Sequence, residues 1–460
     1  MKKSLNIIVV GAGIGGLATA LALATDGHRV TVLDAVKEFT EVHLRYILSY
    51  IHVHTDSFQV GAGIRVPPNS SRLLRQWGVD LDSIKKEISH GNRFVDWKDH
   101  SKILLDVPFD DLQQKYGTPY YLIHRADLID ALVKAARMNT TNISITTSSR
   151  VVEYDYNRPA VKTEQGDWWA GDLVISAEGI KSSARKEING APMEPRDTGD
   201  VAYRILVPVG PLLEDPMTRD LVREPWATHW LGPEAHAVGY PLRGGELYNI
   251  IIDITHNTDC GDPVGEDDWK KQADNTELIE RFKDWNAPVR KLCSLTGEYL
   301  KWKLVDFHQP LKRWVHPGGK AALLGDACHP MMPYLAQGAA QALEDAACLR
   351  SALAVYGDEN IAKALNVYER QRAPRAEYIV KNTRVLQEWL HLYDGPARDK
   401  RDEMMKQDDE TNPIFWGCSV RKDWLFGLDA GTLMEDGEEL HVPGLPPLPP
   451  LDASLYRQKI

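Results

Sequence analysis

Cysteine is scarce in this chain. Its 460 residues hold five, Cys260, Cys293, Cys328, Cys348 and Cys418, an odd number with no C-x-x-C pair. Such usage excludes a disulfide scaffold and a structural zinc, and predicts reduced core thiols in a cytoplasmic protein. Positive charge is short as well: 54 Lys and Arg stand against 65 Asp and Glu, a formal charge of −11. That balance argues against nucleic acid or an anionic membrane surface as a partner. No spacing of His, Cys, Asp or Glu reads as a metal site, His43, His52 and His54 included. Long apolar runs are missing save one, Leu5 to Thr25 behind Lys2 and Lys3, which on hydropathy alone is also compatible with a signal peptide or short anchor. Gly11, Gly13, Gly15 and Gly16 interrupt it and no convincing small-residue cleavage site follows, so no membrane span is expected. The remaining composition, 43% hydrophobic and 26% charged, is that of a globular protein long enough for two or three packed units.

Within that run the period changes. Leu5 to Val10 is β-branched and reads as a buried strand, whereas Leu17 to Thr25 is rich in Ala and Leu and reads as a helix. Between them stands Gly11-Ala-Gly13-Ile-Gly-Gly16. Gly11 permits a tight turn, Gly13 lets backbone approach a pyrophosphate, and Gly16 lets the helix pack on the strand. A second strand, Arg29 to Leu33, ends at Asp34, where a ribose-binding acid belongs. This fingerprint does not separate NAD from FAD, and no second one occurs in the chain.

Three further islands follow. Ile123-His-Arg125-Ala-Asp-Leu128 opens a helix running to about Arg137; an arginine there suits a phosphate or ribose, or is an ordinary helix-start charge. Asp172 to Ser183 is a strand ending in the turn Glu178-Gly179. In the third, an apolar strand from Ala321 ends at Asp326, a proline-rich loop turns through His329-Pro330 and Pro333, and a helix starts near Gly338. An acid at a strand end can accept from ribitol hydroxyls, and a helix N-terminus stabilises negative charge.

The order G-x-G-x-x-G, H-R-x-D-L, D-L-V-I-x-A-[DE]-G, G-D-A-x-H-P-x-x-P resembles that of single-component FAD-dependent aromatic monooxygenases, the salicylate-hydroxylase-like branch of the para-hydroxybenzoate hydroxylase family. The resemblance covers about residues 1 to 395, and segments near Asn412 to Gly417 and Asp423 to Gly427 look familial too. It implies an α/β fold: a Rossmann-type FAD-binding domain (1–78, 118–198 and 300–395) interrupted by a mostly antiparallel substrate sheet (79–117 and 199–299), plus C-terminal helices and a wrap (396–460). It also implies FAD as cofactor and NAD(P)H as transient co-substrate. Reduced FAD would capture O2 as a C4a-hydroperoxide and hydroxylate a phenolic or aromatic acid, with or without loss of the carboxyl group, in secondary metabolism or aromatic catabolism.

By the same resemblance Gly11, Gly13 and Gly16 hold the pyrophosphate and Asp34 the adenosine ribose. Gly61 and Gly63 lie near the flavin, Arg125 meets the phosphate or ribityl region, Asp326 meets the ribityl chain, and Gly338 and Ala339 face the isoalloxazine. Glu178 stands where the family usually has aspartate.

Between about Asp200 and Leu300 the sequence alternates as a half-buried sheet does. Arg204 and Tyr240 match positions that the family uses to hold an anionic aromatic and tune its phenol; the plainer alternatives are a surface ion pair for Arg204 and a cross-strand aromatic pair for Tyr240. His236 and His329 are secondary candidates, more simply structural histidines. Leu445 to Leu451 reads as an extended wrap, or as a polyproline ligand.

One segment does not fit. Val42 to Gln59 separates parts that the resemblance places almost in contact, and it is aromatic and β-branched with little charge. Its valine and glutamine ends and its eighteen codons are compatible with a translated, unspliced intron; the alternative is a genuine loop over the FAD site. Competing expectations are therefore a flavin epoxidase of a hydrophobic alkene, disfavoured by Arg204, and a product inactivated by the insertion. The sequence does not set the oligomeric state.

Overall fold

The computed structural model describes residues 4–39, 63–255, 270–295, 298–357, 360–433 and 448–451. Val42 to Gln59, Gly61, Cys260, His43, His52 and His54 lie outside them.

The apolar run at the N-terminus is a strand and a helix. Asn6–Val10 is the middle strand of a five-stranded sheet, with Leu173–Ser176 and Ala321–Leu323 on one side and Arg29–Leu33 and Ile143–Thr146 on the other. All four pairings are parallel, and sheets of this kind are covered on both faces, which is why Ile7 to Val10 are all buried without alternation. The helix Ile14–Ala24 is buried on nearly every side because it sits between this sheet and the helix Gly338–Tyr356. Among the described residues no helix is long and apolar enough to cross a membrane.

A second, eight-stranded sheet runs in the order Lys270–Asp274, Glu298–Asp306, Arg196–Pro208, Leu247–Thr255, Ala235–Leu242, Trp226–Gly232, Gly91–Asp96, Ile103–Pro108. It is antiparallel except where Trp226–Gly232 meets Gly91–Asp96. One face buries Tyr203, Trp230, Ala237 and Ile252 against the helix Ala287–Ser294. The opposite face carries Arg204, Tyr240 and Val238, and a small sheet of Gly63–Val66, Tyr121–His124 and Lys86–Ile88 lies beneath it.

Two expected boundaries shift. The strand Glu298–Asp306 runs across the expected break at 299/300, and from Leu300 to Asp306 it pairs with Arg196–Pro208, so the substrate sheet reaches Asp306. Lys86–Ile88, expected in the substrate unit, pairs instead with Tyr121–His124. At 448–451 the chain contacts the helix Ile361–Leu390: Leu448 donates its N–H to Asn382 Oδ1 at 2.7 Å and the Trp389 indole donates to Pro449 O at 2.7 Å. Cys293, Cys328, Cys348 and Cys418 are free and buried.

Candidate active site

At the N-terminal corner, Gly11 has φ +101°, a conformation that side chains rarely adopt, and a Cβ on Gly16 would collide with the Gly11 carbonyl. Nothing stands within 4 Å of where a Gly13 Cβ would lie, so that edge of the turn is open to a ligand. Asp34 does more than end its strand. Its carboxylate accepts the Ala12 N–H at 2.5 Å and the Val36 N–H at 2.8 Å, bracing the glycine turn from below.

The second island is a knot of hydroxyls. Tyr154, Ser176 and Ser182 donate to Glu178 Oε2 at 2.8, 2.8 and 3.0 Å, and Ser183 donates to Oε1 at 3.0 Å. The longer acid thus fastens the turn after its strand.

In the third island, Asp326 sits in a 3₁₀ turn, Gly325–Ala327, with its carboxylate accessible. The protein around it displaces bulk water and raises its pKa, while His329 and Arg125 pull it back. Arg125, at the start of the helix Arg125–Met138, is accessible beside it, and the same displacement of bulk water lowers its pKa. A Cβ on Gly338 would stand 3.9 Å from Asp326 Oδ1. The unpaired N–H groups that open the helix Gly338–Tyr356, with Ala339 half-buried in its first turn, therefore meet Asp326 and Arg125 at one place. His329 is structural: its Nε2 lies 2.6 Å from Asp345. Cys328, His329 and Asp345 offer ligand atoms within 4.8 Å of one another, but Asp345 already accepts from Gly325 N, His329 and Arg372.

The roof of the cleft is the second sheet. Tyr240 is 1% exposed, and its ring lies over Gly63, where a Cβ would meet it at 2.6 Å. Its cross-strand neighbour is Asn249, whose side-chain oxygen accepts the Gly63 N–H at 2.8 Å, so Tyr240 is not half of a cross-strand aromatic pair. Burial raises the Tyr240 pKa, and Arg65 and Arg204 both oppose the rise. Arg204 is no surface ion pair. Its guanidinium stacks 5.0 Å from the Trp302 ring centre, its Nε is buried without a hydrogen-bond partner, and no described carboxylate lies within ion-pair distance. Its pKa is lowered by burial first and by Arg125 second, which puts Arg204 within electrostatic reach of the Arg125–Asp326 corner. The fold thus brings Gly63, Arg125, Asp326, Gly338, Arg204 and Tyr240 to one cleft, with Gly11, Gly13, Gly16 and Asp34 at the neighbouring turn.

A family profile described as FAD binding domain matches residues 51–383, and an NAD(P)-binding Rossmann-like domain matches 9–40. The FAD-dependent monooxygenase OpS4 of Beauveria bassiana is 34% identical over 94% of this chain and 96% of its own length. The chain belongs to the FAD-dependent monooxygenases. Another member, 3-hydroxybenzoate 6-hydroxylase 1 of Aquipseudomonas alcaligenes, is 31% identical over 92% of this chain and 97% of its own. In fold, a salicylate hydroxylase substrate complex superposes with a TM-score of 0.72 at 24% identity, covering 93% of this chain and 96% of that one. As in this family generally, FAD is the cofactor, and the open edge at Gly13 and the Asp326–Gly338 corner are surfaces that fit it.

Several cleft residues are not singled out by the sequence: Arg65, Asn92, His229, Asp253, Trp302 and Trp416. Arg65 had one signal, since it stands two places after Gly63 in a strand and so shares its face.

Proposed function

We propose that this monooxygenase hydroxylates a phenolic or aromatic acid, with NAD(P)H as reductant and O2 as oxidant. The observation that carries the reading is Arg204: a guanidinium inside the cleft beside Tyr240, with an aromatic face, Asp253 in electrostatic reach, and no described carboxylate within ion-pair distance. A buried cation left in that state favours an anionic ligand. The same feature disfavours a neutral alkene.

In this reading Gly11, Gly13 and Gly16 admit the FAD pyrophosphate, and Asp34 takes the adenosine ribose with the lone pairs left beside Ala12 and Val36. Arg125 and Asp326 hold the phosphate and ribityl region. Gly63, Gly338 and Ala339 border the ring, and the resemblance alone assigns Gly61, outside the described residues, to the same role. Bound FAD supplies the redox chemistry, passing two electrons from NAD(P)H to O2. Arg204 anchors the substrate carboxylate, and Tyr240 directs its hydroxyl at the phenolic oxygen, favouring the more nucleophilic ionised ring. The sheet above them keeps water out.

The test is a screen of substituted benzoates and phenols for stimulated NADH or NADPH consumption, with labelled O2 to follow the oxygen. At least one aromatic acid should accelerate consumption and carry the label. FAD-loaded protein that oxidises NAD(P)H equally with and without every aromatic acid, and labels none, sinks the reading. The same screen on the chain lacking Val42 to Gln59 tests the unspliced-intron reading, which expects FAD binding to improve.

A further inference from the structure

Arg65 is 8% exposed and belongs to the strand Gly63–Val66, whose first residue already lies under the Tyr240 ring. Its Nη1 donates to Asn92 Oδ1 at 3.2 Å and to His229 Nε2 at 3.3 Å, and its Cζ stands 5.5 Å from the centre of the Trp416 ring. Every one of these partners is neutral. Because arginine only donates, His229 accepts at Nε2 and carries its proton on Nδ1. That Nδ1 is buried without a partner, and so are Asn92 Nδ2, Trp416 Nε1 and the Tyr120 hydroxyl. Arg65 thus sits among atoms that can nearly all donate, with no described carboxylate within ion-pair distance.

The charged and titratable groups in its electrostatic reach are His229 and His236, both neutral because burial pushes their pKa values down, Tyr120 and Tyr240, both pushed up, and Asp253, raised by burial to about 7. Among the described residues Asp253 is the single candidate counter-charge, and it forms no ion pair with either arginine; its near contact is His236, at 3.5 Å. Strand register fixes where the two cations lie. His229, Val238, Ile251 and Arg204 are successive partners across four strands, so the contact of Arg65 and the residue Arg204 close the two ends of one row. Three strand spacings make this span about 14 Å at the backbone. Val238 and Ile251 form an apolar floor between them, with Tyr240 alongside.

We propose that Arg65 is a second anion anchor, and that the substrate is an aromatic acid carrying an acidic oxygen at each end, one held by Arg204 and the other by Arg65. The inference rests on the aromatic-acid reading above and narrows its substrate class. The second acidic oxygen is an ionised phenol or a second carboxylate, and the experiment separates these sources.

Binding to the FAD-loaded protein would be measured by calorimetry and by tryptophan fluorescence, since Trp416 and Trp302 lie against the two guanidiniums. The ligands are 3-hydroxybenzoate, its methyl ether, 5-hydroxyisophthalate, and a 3-hydroxybenzoate bearing a carboxyethyl arm. The proteins are wild type, Arg65→Gln, Arg65→Lys and Arg204→Gln, each checked for flavin content and circular dichroism. Arg65→Gln should weaken one of the doubly acidic ligands by at least about tenfold more than the singly acidic methyl ether. Arg65→Lys should recover part of that difference, and Arg204→Gln should weaken all four alike. A loss that appears with 3-hydroxybenzoate but not its ether identifies a phenolate, and one that appears only with the diacids identifies a carboxylate. If Arg65→Gln shifts every ligand by the same factor, or none, Arg65 merely ties its strand to the sheet and the proposal is wrong. If wild type binds no aromatic acid, the underlying reading falls and takes this one with it.

Discussion

Arg372 and Arg375, behind the helix Gly338–Tyr356, and Arg204 and Arg65, on the cleft face of the eight-stranded sheet, all sit inside the fold, but their surroundings are opposite. Glu344 accepts Arg372 at 2.7 Å, both Arg375 Nε and Nη2 at 2.7 and 2.8 Å, and Asn69 at 2.7 Å. Asp345 accepts Arg372 Nε at 2.8 Å. In that cluster each guanidinium has a carboxylate in hydrogen-bond contact; on the cleft face neither has a described carboxylate within ion-pair distance. A closed network of buried charge joins the long helix Ile361–Leu390 to the FAD-side helix and is a structural fastening. The open charge of Arg204 and Arg65 is what the proposed substrate anchoring rests on.

Breaking the closed network should give the largest effect. Glu344→Ala strands the Arg375 guanidinium in the interior and leaves Arg372 with Asp345 alone, and the expected loss is about 3–5 kcal/mol in urea unfolding. A loss below about 1 kcal/mol would dissolve the contrast between the clusters. Next comes pH, where the two regions should respond in opposite directions. Burial works to raise Asp345, but His329 and Arg372 outweigh it and hold the carboxyl at about 2. Its contribution is complete above an unfolded value of about 4 and disappears as pH falls through 2. On the cleft side, burial pushes Asp200 up to about 6 and Asp253 to about 7. Raised acids favour the native state below about pH 4, and that advantage is lost as pH climbs through 6 and 7. Between pH 4 and 8, Asp253→Asn should therefore flatten the fall in stability by on the order of a few kcal/mol; an unchanged slope would show that Asp253 ionises as freely folded as unfolded.

Arg204→Gln should act on binding and not on folding. It removes no ion pair, so the unfolding midpoint should stay within the range of about 0.5 kcal/mol typical of neutral substitutions. Activity toward an aromatic acid should fall about 10- to 100-fold in kcat/KM, the worth of a hydrogen bond to a charged group. Destabilisation as large as that of Glu344→Ala would move Arg204 into the structural class.

How far these regions can be read from sequence also differs. The FAD corner is legible because local backbone demands choose its residues: Gly11 for its positive φ, Gly16 for its contact with Gly11, and Asp34 at the end of a short strand. The cleft is assembled from distant pieces. Arg65 meets His229 across 164 positions, and Trp416 arrives from the C-terminal segment, so beyond the place of Arg65 two residues after Gly63 no local pattern brings them together. Arg204 and Tyr240 were reachable only through the family resemblance. The displaced boundary has a local reason as well: Lys301 and Lys303 alternate in sequence with Trp302 and Leu304, a polar–apolar strand pattern that runs on past 300.

The smallest expected effect separates two glycines that look alike in the motif. Gly16→Ala drives a methyl into the Gly11 carbonyl, backbone that cannot swing aside, and should cost about 1–3 kcal/mol of stability. Gly13→Ala meets nothing within 4 Å, at a position whose φ of −71° alanine adopts freely, so the apoprotein should unfold almost as wild type does. Its methyl points instead into the space assigned to the pyrophosphate. Reconstitution of the apoprotein followed by flavin fluorescence should show FAD bound about tenfold more weakly, roughly 1.4 kcal/mol. Equal FAD affinity in Gly13→Ala and wild type would mean that the open edge of this turn is not where the phosphates lie.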